Sequence, residues 1–264
     1  WIMAYTAIDD AALFMNTVLY TGTGSSQSIT GVGFQPDMVW AKERSGTNNH
    51  MVADAARGAD NKVNPNQNYA NDTNASSLTA FGADGFTGGG NSEMNGSSNT
   101  YVSWNWKAGT TSGLTGGTLT PSAYSINTTS GIGIYKYTGG SSTDNITHGL
   151  GVVPKFIIIK SLTTTNDWTC YQEAMGNGKL IILNTDPGEV TDATTWDSTT
   201  PTSTLWYMGN SGDVNNSARD YIAYVFAPIQ GYSAFGSYSS NADEDGPFVY
   251  TGFKPAWTLI KEYS

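Results

Sequence analysis

The sequence predicts an all-β protein of tandem β-sandwich modules, of jelly-roll or lectin-like type, with two complete copies and the start of a third. Three observations predict it. First, one phrase recurs: Gly, two residues, Pro, a mostly apolar run, then Lys, at Gly33–Lys42, Gly151–Lys160 and Gly252–Lys261. Second, short runs rich in β-branched and aromatic residues alternate with turn residues, and no helical period is sustained. Third, charge is sparse at 13% while Gly is abundant at 31 residues and aromatics reach 12%. A typical soluble domain carries about 25% charged residues. A surface of Gly, Ser, Thr and Asn is the profile of turn-rich β proteins that live outside cells.

The repeat has more parts than the phrase. The prolines Pro36, Pro154 and Pro255 are 154 − 36 = 118 and 255 − 154 = 101 residues apart. An upstream Tyr precedes each: Tyr20-Thr-Gly, Tyr137-Thr-Gly and Tyr238-Ser-Ser. A closing stretch, Asn95 through Tyr101 to Trp106, matches Asn215 through Tyr221 to Phe226 at a spacing of 120 in both anchors (215 − 95 and 221 − 101). A fixed element at near-domain spacing signals tandem modules. The third copy lacks the closing stretch, so the chain reads as a fragment of a longer protein. Trp1 is no initiator, and Met3-Ala-Tyr-Thr-Ala-Ile-Asp-Asp10 reads as a more natural start.

Taken in order, residues 1–15 read as an N-terminal arm in which Ala11–Met15 is the one short helix candidate, or else a turn covering the first sandwich. Repeat 1 spans 16–108, with strands expected at Thr17–Thr21, Met38–Glu43, His50–Asp54, Ser77–Phe81, Gly85–Thr87 and Tyr101–Lys107. Residues 109–130 form a Gly/Ser/Thr-rich linker; Gly109–Thr118 reads as flexible and Ala123–Asn127 as an added strand. Repeat 2 spans 131–232, with strands at Gly131–Tyr137, Phe156–Ser161, Trp168–Gln172, Leu180–Asn184, Thr204–Met208 and Tyr221–Ala227. Residues 233–264 carry the first strands of repeat 3. Phe156–Ile159 and Trp257–Ile260 are near-continuous apolar runs, the pattern of a central strand covered on both faces. Each Pro opens its strand, where a missing N–H is tolerated. Two long loops, Arg57–Ser76 and Asp186–Pro201, exceed ordinary connection lengths.

Composition excludes several function classes. The net charge is −10 with only 12 basic residues, scattered along the chain. Phosphate binding needs clustered Lys and Arg, so nucleic acid is not an expected partner. The single cysteine, Cys170, allows no disulfide framework and no cysteine zinc site within the chain. No stretch approaches the ~18 apolar residues of a membrane helix, and no signal peptide is read at the start.

Several phrases resemble a repeated domain of marine bacteriophage structural proteins. They are Phe34-Gln-Pro-Asp-Met-Val-Trp-Ala-Lys-Glu-Arg44, Asp54-Ala-Ala-Arg-Gly58, Asp84-Gly-Phe-Thr87, Tyr101-Val-Ser-Trp-Asn-Trp-Lys-Ala108, His148-Gly-Leu-Gly-Val-Val-Pro154 and Asp245-Gly-Pro-Phe-Val-Tyr-Thr-Gly-Phe-Lys-Pro255. The resemblance covers nearly the whole chain. It implies a tail-fibre-like or virion-associated protein with no assigned chemistry, and it brings no catalytic residues. A protein without disulfides, stable through packing and assembly, fits a particle assembled in a bacterial cytoplasm and then released.

Candidate chemistry is thin. His50 and His148 stand at non-equivalent positions; His50 reads as a hydrogen-bonded edge residue and His148 as a solvated turn residue. Carboxylates able to pair for glycoside cleavage are Glu43 with Asp54 and Glu173 with Asp186, although Asp54 is also placed to pair with Arg57 in a turn. Asp243-Glu-Asp-Gly246 reads as a solvated turn rather than a calcium loop, because the EF-hand spacing is absent. Sugar faces stack on exposed aromatics, which makes Trp196 and Tyr69, in the two long loops, the candidate glycan contacts. The competing reading tucks both over the core. Trp40, Trp104, Trp106, Trp206 and Trp257 fall in strands and read as core. The expected function is therefore a non-enzymatic virion structural protein, in an exposed fibre or capsid decoration, needing no cofactor. Its expected partners are other virion proteins, further copies of itself (a trimer is common in fibres) and a host surface glycan. A carbohydrate-binding receptor module and a polysaccharide depolymerase are the alternatives.

Overall fold

A computed structural model describes residue 6 and residues 8–263. Half of the expected start motif, Met3–Asp10, lies outside the described residues. In chain order the strands are β1 Met15–Thr21, β2 Gln27–Thr30, β3 Met38–Glu43, β4 Met51–Asp54, β5 Asn61–Lys62, β6 Asp72–Thr73, β7 Leu78–Gly82, β8 Gly85–Gly88 and β9 Thr100–Trp106, then β10 Ala123–Asn127 and β11 Ile132–Thr138. There follow β12 Asp144–Thr147, β13 Phe156–Ser161, β14 Thr169–Gln172, β15 Lys179–Ile182, β16 Val190–Thr191, β17 Leu205–Met208 and β18 Asp220–Phe226. The one α-helix among the described residues is the single turn α1, Ser92–Asn95. The helix expected at Ala11–Met15 is a 3-10 turn over Ala11–Leu13, capped by the Asp10 carboxylate, and Met15 already opens β1.

The protein is thus all-β, in antiparallel sheets. The N-terminal half has a four-stranded sheet, β1-β9-β3-β4, facing a three-stranded sheet, β2-β8-β7. The C-terminal half has a seven-stranded sheet, β10-β11-β18-β13-β14-β15-β16, facing the pair β12-β17. Within the two larger sheets, β1-β9-β3-β4 and β11-β18-β13-β14 run in the same order. In both, the closing strand lies between the first strand and the apolar phrase.

Three apolar clusters explain the layering. Ile29, Val39, Ala41, Met51, Ala53, Leu78, Phe86 and Met94 fill the first sandwich. Tyr135, Tyr137, Ile146, Ile157, Ile159, Trp196, Trp206, Tyr221 and their neighbours fill the second. A third cluster lies between the halves, joining Met38, Trp40, Val52 and Trp106 to Ile132, Ile158, Trp168, Ile222 and Tyr224. The two large sheets therefore pack on each other, and the molecule has four layers. The apolar phrases are continuous because β3 and β13 are covered on both faces: Val39 and Ala41 point into the first sandwich, Met38 and Trp40 into the junction. Ile157 and Ile159 point into the second sandwich and Ile158 into the junction.

Two expectations change. The linker is not free: Thr110 bridges Ile126, Gly117 bridges Ile146, Gly109 N donates to Ser125 Oγ at 2.7 Å, and Leu114 and Leu119 pack on the second core. Glycine and serine content signalled flexibility, but backbone pairing to β10 and β12 overrides it. The expected strand at Trp257–Ile260 does not form, and among the described residues no strand follows β18. β3 and β13 each pair with strands on both sides, whereas no strand pairs with residues 256–261. An unpaired apolar run has no ladder to hold it extended.

Candidate functional site

The most organised polar structure occurs twice. Asn95, at the end of α1, is fully buried. Its Nδ2 donates to Ser25 O at 2.6 Å and Gly89 O at 2.7 Å, and its Oδ1 accepts from Thr23 N at 2.9 Å. Asn215 is also fully buried. Its Nδ2 donates to Ser142 O at 2.8 Å and Gly209 O at 2.9 Å, and its Oδ1 accepts from Gly140 N at 2.7 Å. Tyrosine completes each anchor. Tyr101 Oη donates to Ser92 O at 2.7 Å and accepts from Gly96 N at 2.8 Å. Tyr221 Oη donates to Gly212 O at 2.8 Å and accepts from Asn216 N at 2.9 Å.

The upstream tyrosines stack on these. Tyr20 lies 5.3 Å from Tyr101 at 17°, and Tyr137 lies 5.3 Å from Tyr221 at 18°. Tyr20 Oη donates to Met94 O at 2.6 Å and Tyr137 Oη to Val214 O at 2.7 Å. Burial, and then the neighbouring phenol, raises the pKa of both Tyr20 and Tyr137, so each stays a neutral donor. The Gly after each Tyr-Thr is needed for close approach. A Cβ on Gly22 would meet Gly96 O at 2.3 Å, and one on Gly139 would meet Asn216 O at 2.5 Å.

The junction between the halves holds a buried ion pair. Asp54 Oδ2 accepts from Arg57 Nε at 2.6 Å and from Tyr224 Oη at 2.7 Å. Arg57 also donates to Val52 O at 3.0 Å and Asn71 Oδ1 at 3.0 Å. Burial disfavours the charged guanidinium, but Asp54 and Tyr224 oppose this and leave its pKa raised. Burial lifts the Tyr224 phenol well above its ordinary range. The long Asn-rich loop closes over this junction. Trp168 Nε1 donates to Asn64 O and Gln67 O, each at 3.0 Å, Asn71 N donates to Leu162 O at 3.0 Å, and Asn166 N donates to Asn68 O at 3.0 Å. The loop is a clasp between the sheets. At the other end Asp37 accepts from Ala108 N at 2.8 Å and Ser125 Oγ at 3.0 Å.

The remaining candidates are dispersed. Asp54 pairs with Arg57, as the turn motif suggested. Buried Glu43, expected as its catalytic partner, accepts from Ser45 Oγ at 3.2 Å and Asn48 Nδ2 at 2.7 Å. Glu173 pairs with Lys155 at 2.5 Å, and Asp186 is exposed in a bend. The structure brings neither carboxylate pair together as an acid–base couple. Asp243–Gly246 is an exposed turn closed by Asp245 N to Asp243 Oδ1 at 3.0 Å, and no group of three or more His, Cys, Asp or Glu able to hold a metal occurs among the described residues. His50 Nδ1 accepts from Trp40 Nε1 at 3.0 Å, the hydrogen-bonded role expected of it.

His148 corrects the expectation of a solvated turn. It is fully buried, its Nδ1 accepts from Leu150 N at 3.1 Å, and Nε2 therefore donates to Thr202 O at 3.0 Å. Burial lowers the pKa of both imidazoles. The glycan candidates separate. Trp196 is 1% exposed, stacks edge-on with Tyr171 and donates to Lys179 O at 3.0 Å, so it offers no face to a sugar. Its loop folds inward because the indole has both an aromatic wall and a carbonyl to satisfy. Tyr69 is 52% exposed in the clasp loop. Trp206 is core, as read, and Trp40 and Trp106 are core of the junction, where Trp104 and Trp257 are partly buried against them.

Residues that sequence reasoning missed are the partners rather than the anchors: Tyr224 and Asn71 of the ion-pair network, and Trp168 as the indole that fastens the clasp. Their signal was faint: Tyr224 and Trp168 each bring one polar atom on an aromatic ring, and Asn71 is one asparagine among many in its loop. No described helix is long and apolar enough to cross a membrane. Neither the curated proteins nor the solved structures contain a match to the chain. One family model does match, over residues 10–264, and it carries the description "Domain of unknown function". On that coverage the chain belongs to the DUF7483 family.

Proposed function

We propose that this chain is a non-enzymatic structural protein of a bacteriophage particle, built from two tandem copies of one β-sandwich module and displayed as part of a fibre or capsid decoration used in host attachment. The observation that carries the modular part is the doubled anchor. Asn95, Tyr101, Ser92 and Gly89 each have a counterpart 120 residues on in Asn215, Tyr221, Gly212 and Gly209, with the same atoms bonded. Strand order repeats as well. The place, a virion surface, comes from the resemblance of the sequence phrases to phage structural proteins.

The reading assigns no catalysis. Asp54, Glu43 and Glu173 hold turns and ion pairs in the fold, and a catalytic role would cost those bonds. Function in such a protein comes from copy number: many weak contacts on one particle multiply into firm attachment. Other virion proteins and further copies of this chain are the partners. Cryo-electron microscopy of the intact particle tests the proposal. Symmetric density over the capsid makes the protein a decoration, and density at the tail makes it an attachment fibre. Absence of the protein from purified particles overturns the reading.

A further inference from the structure

The ends of the two large sheets are not alike. β4 is bridged by Val63 through Val52, β10 is bridged by Thr110 through Ile126, and β16 is only two residues long. β1, at the remaining end, is seven residues long, runs in unbroken register with β9 and carries no charge, proline or bulge. Natural edges are blunted by such devices, and a long bare edge invites another strand. Gly22 N donates to Asn99 O at 2.8 Å and Lys107 N to Phe14 O at 2.9 Å. Even-numbered residues of β1 therefore bond β9, and Thr17, Leu19 and Thr21 turn their N–H and C=O groups outward. Among the described residues these outward groups meet only two side chains, both in exposed positions. Asn16 Oδ1 accepts from Thr17 N at 2.9 Å, and Gln27 Nε2 donates to Thr21 O at 3.1 Å. Leu19 is 60% exposed.

The second module shows what covers such an edge. β11, the counterpart of β1, is paired along its outer side by β10. Counting back the 117 residues that separate Tyr137 from Tyr20 (137 − 20) places the counterpart of β10 at residues 6–10. The described residues there form no strand: Ile8 is buried, and the Asp10 carboxylate caps the 3-10 turn. β1 is instead complementary to itself. With Leu19 on a two-fold axis, an antiparallel copy sets Leu19 opposite Leu19, Val18 opposite Tyr20 and Thr17 opposite Thr21. Leucine on leucine buries apolar surface, and β-branched–aromatic and Thr–Thr pairs are favourable cross-strand neighbours. The outward groups of Thr17, Leu19 and Thr21 then bond one another. We infer, on the duplicated-module reading above, that the outer edge of β1 is a self-association surface. There β1 of a second copy pairs antiparallel about Leu19 and joins the two four-stranded sheets into one. The contact is short, so it forms at high protein concentration, as on a crowded particle surface.

Sedimentation of the intact chain over a range of concentrations, joined to amide exchange, tests it. The expected result is a concentration-dependent monomer–dimer equilibrium in which the Leu19 and Thr21 amides gain protection. Those of Val18 and Tyr20, already bonded to β9, should not change. Leu19→Lys sets like charges opposite each other on the axis and should weaken association at least about tenfold. Leu13→Lys, at a side chain 52% exposed but outside the paired residues, should leave association unchanged. Both leucines are largely in water, so unchanged urea midpoints will show that the variants are folded. A monomer at every concentration, association that survives Leu19→Lys, or equal weakening by Leu13→Lys overturns the inference. So do Leu19 and Thr21 amides protected even in the dilute monomer, because the edge is then covered within one chain. The module reading fails separately, if Asn95 and Asn215 prove energetically unlike.

Discussion

Replacing Asn215 with alanine removes one side chain from a site with no solvent to compensate. The Gly140 N–H loses its acceptor at 2.7 Å, the Ser142 and Gly209 carbonyls lose donors, and Asp144 loses a donor at 3.0 Å. An orphaned buried donor costs about 1–3 kcal/mol, and a neutral hydrogen bond contributes about 1 kcal/mol net. The carbonyls keep a second lone pair and Asp144 keeps Thr118 and Ser142 as partners, so the terms do not simply add. The expected loss is about 3 kcal/mol. At roughly 2–4 °C per kcal/mol for a chain of this size, the melting midpoint falls by about 6–12 °C. Urea unfolding followed by tryptophan fluorescence reads it as a shift in midpoint at constant slope. Asn95→Ala removes the matching three bonds and should cost about as much. A loss under about 1 kcal/mol in either variant, or a severalfold difference between them, refutes the argument that these are equivalent buried anchors.

Other outcomes follow from the junction and the titratable groups. Arg57→Ala leaves the Asp54 carboxylate buried beside Tyr224 and should cost about 3–5 kcal/mol, whereas Tyr224→Phe, which removes the donation to Asp54 at 2.7 Å and the long acceptance from Arg57 Nη2 at 3.3 Å, should cost about 1–2 kcal/mol; urea midpoints of both variants check this. Burial lowers the pKa of His50 and His148, so between the ordinary imidazole value and their lower folded values the unfolded chain binds more protons. Stability should therefore be level above about pH 7 and fall as pH drops below 6.5, and the fall should flatten in a His50→Gln, His148→Gln double variant. Burial pushes the Cys170 thiol up to about 12, so a disulfide-exchange reagent at pH 8 should leave the native protein unmodified and react with one thiol after denaturation. Tyr69→Ala should shift stability by less than about 0.5 kcal/mol, which makes it the clean variant for glycan-binding screens.

The parts of the fold legible in sequence were those with strong local chemistry. β3 and β13 were readable end to end because burial on both faces leaves an unbroken apolar run. The anchors were visible as Asn-x5-Tyr at fixed spacing, although nothing in that spacing revealed which carbonyls they hold. β2 and β12 escaped notice because Gln-Ser-Ile-Thr and Asp-Asn-Ile-Thr bury a single apolar residue each, Ile29 and Ile146, too little to make a period. Trp196 and His148 misled for one reason. Both sit among Thr, Gly and Asp, and a polar neighbourhood in sequence says nothing about a fold that tucks one large ring under its loop. The junction was legible only as cover on both faces of the apolar runs. What supplies that cover was not legible, and only the shared burial of Trp40, Trp106, Ile158 and Tyr224 shows that the two sheets cover each other.

That junction sets the stiffness of the molecule. Two sandwiches strung on a free linker would sample many relative angles, and a load on one would reach the other only through slack chain. Here an apolar seam, a buried ion pair and an Asn-rich loop fasten sheet to sheet. Relative rotation would have to expose Trp168 and pull Tyr224 away from Asp54 and Arg57. The pair therefore bends as one short beam, and a pull applied at either end is borne across the seam by the strands themselves.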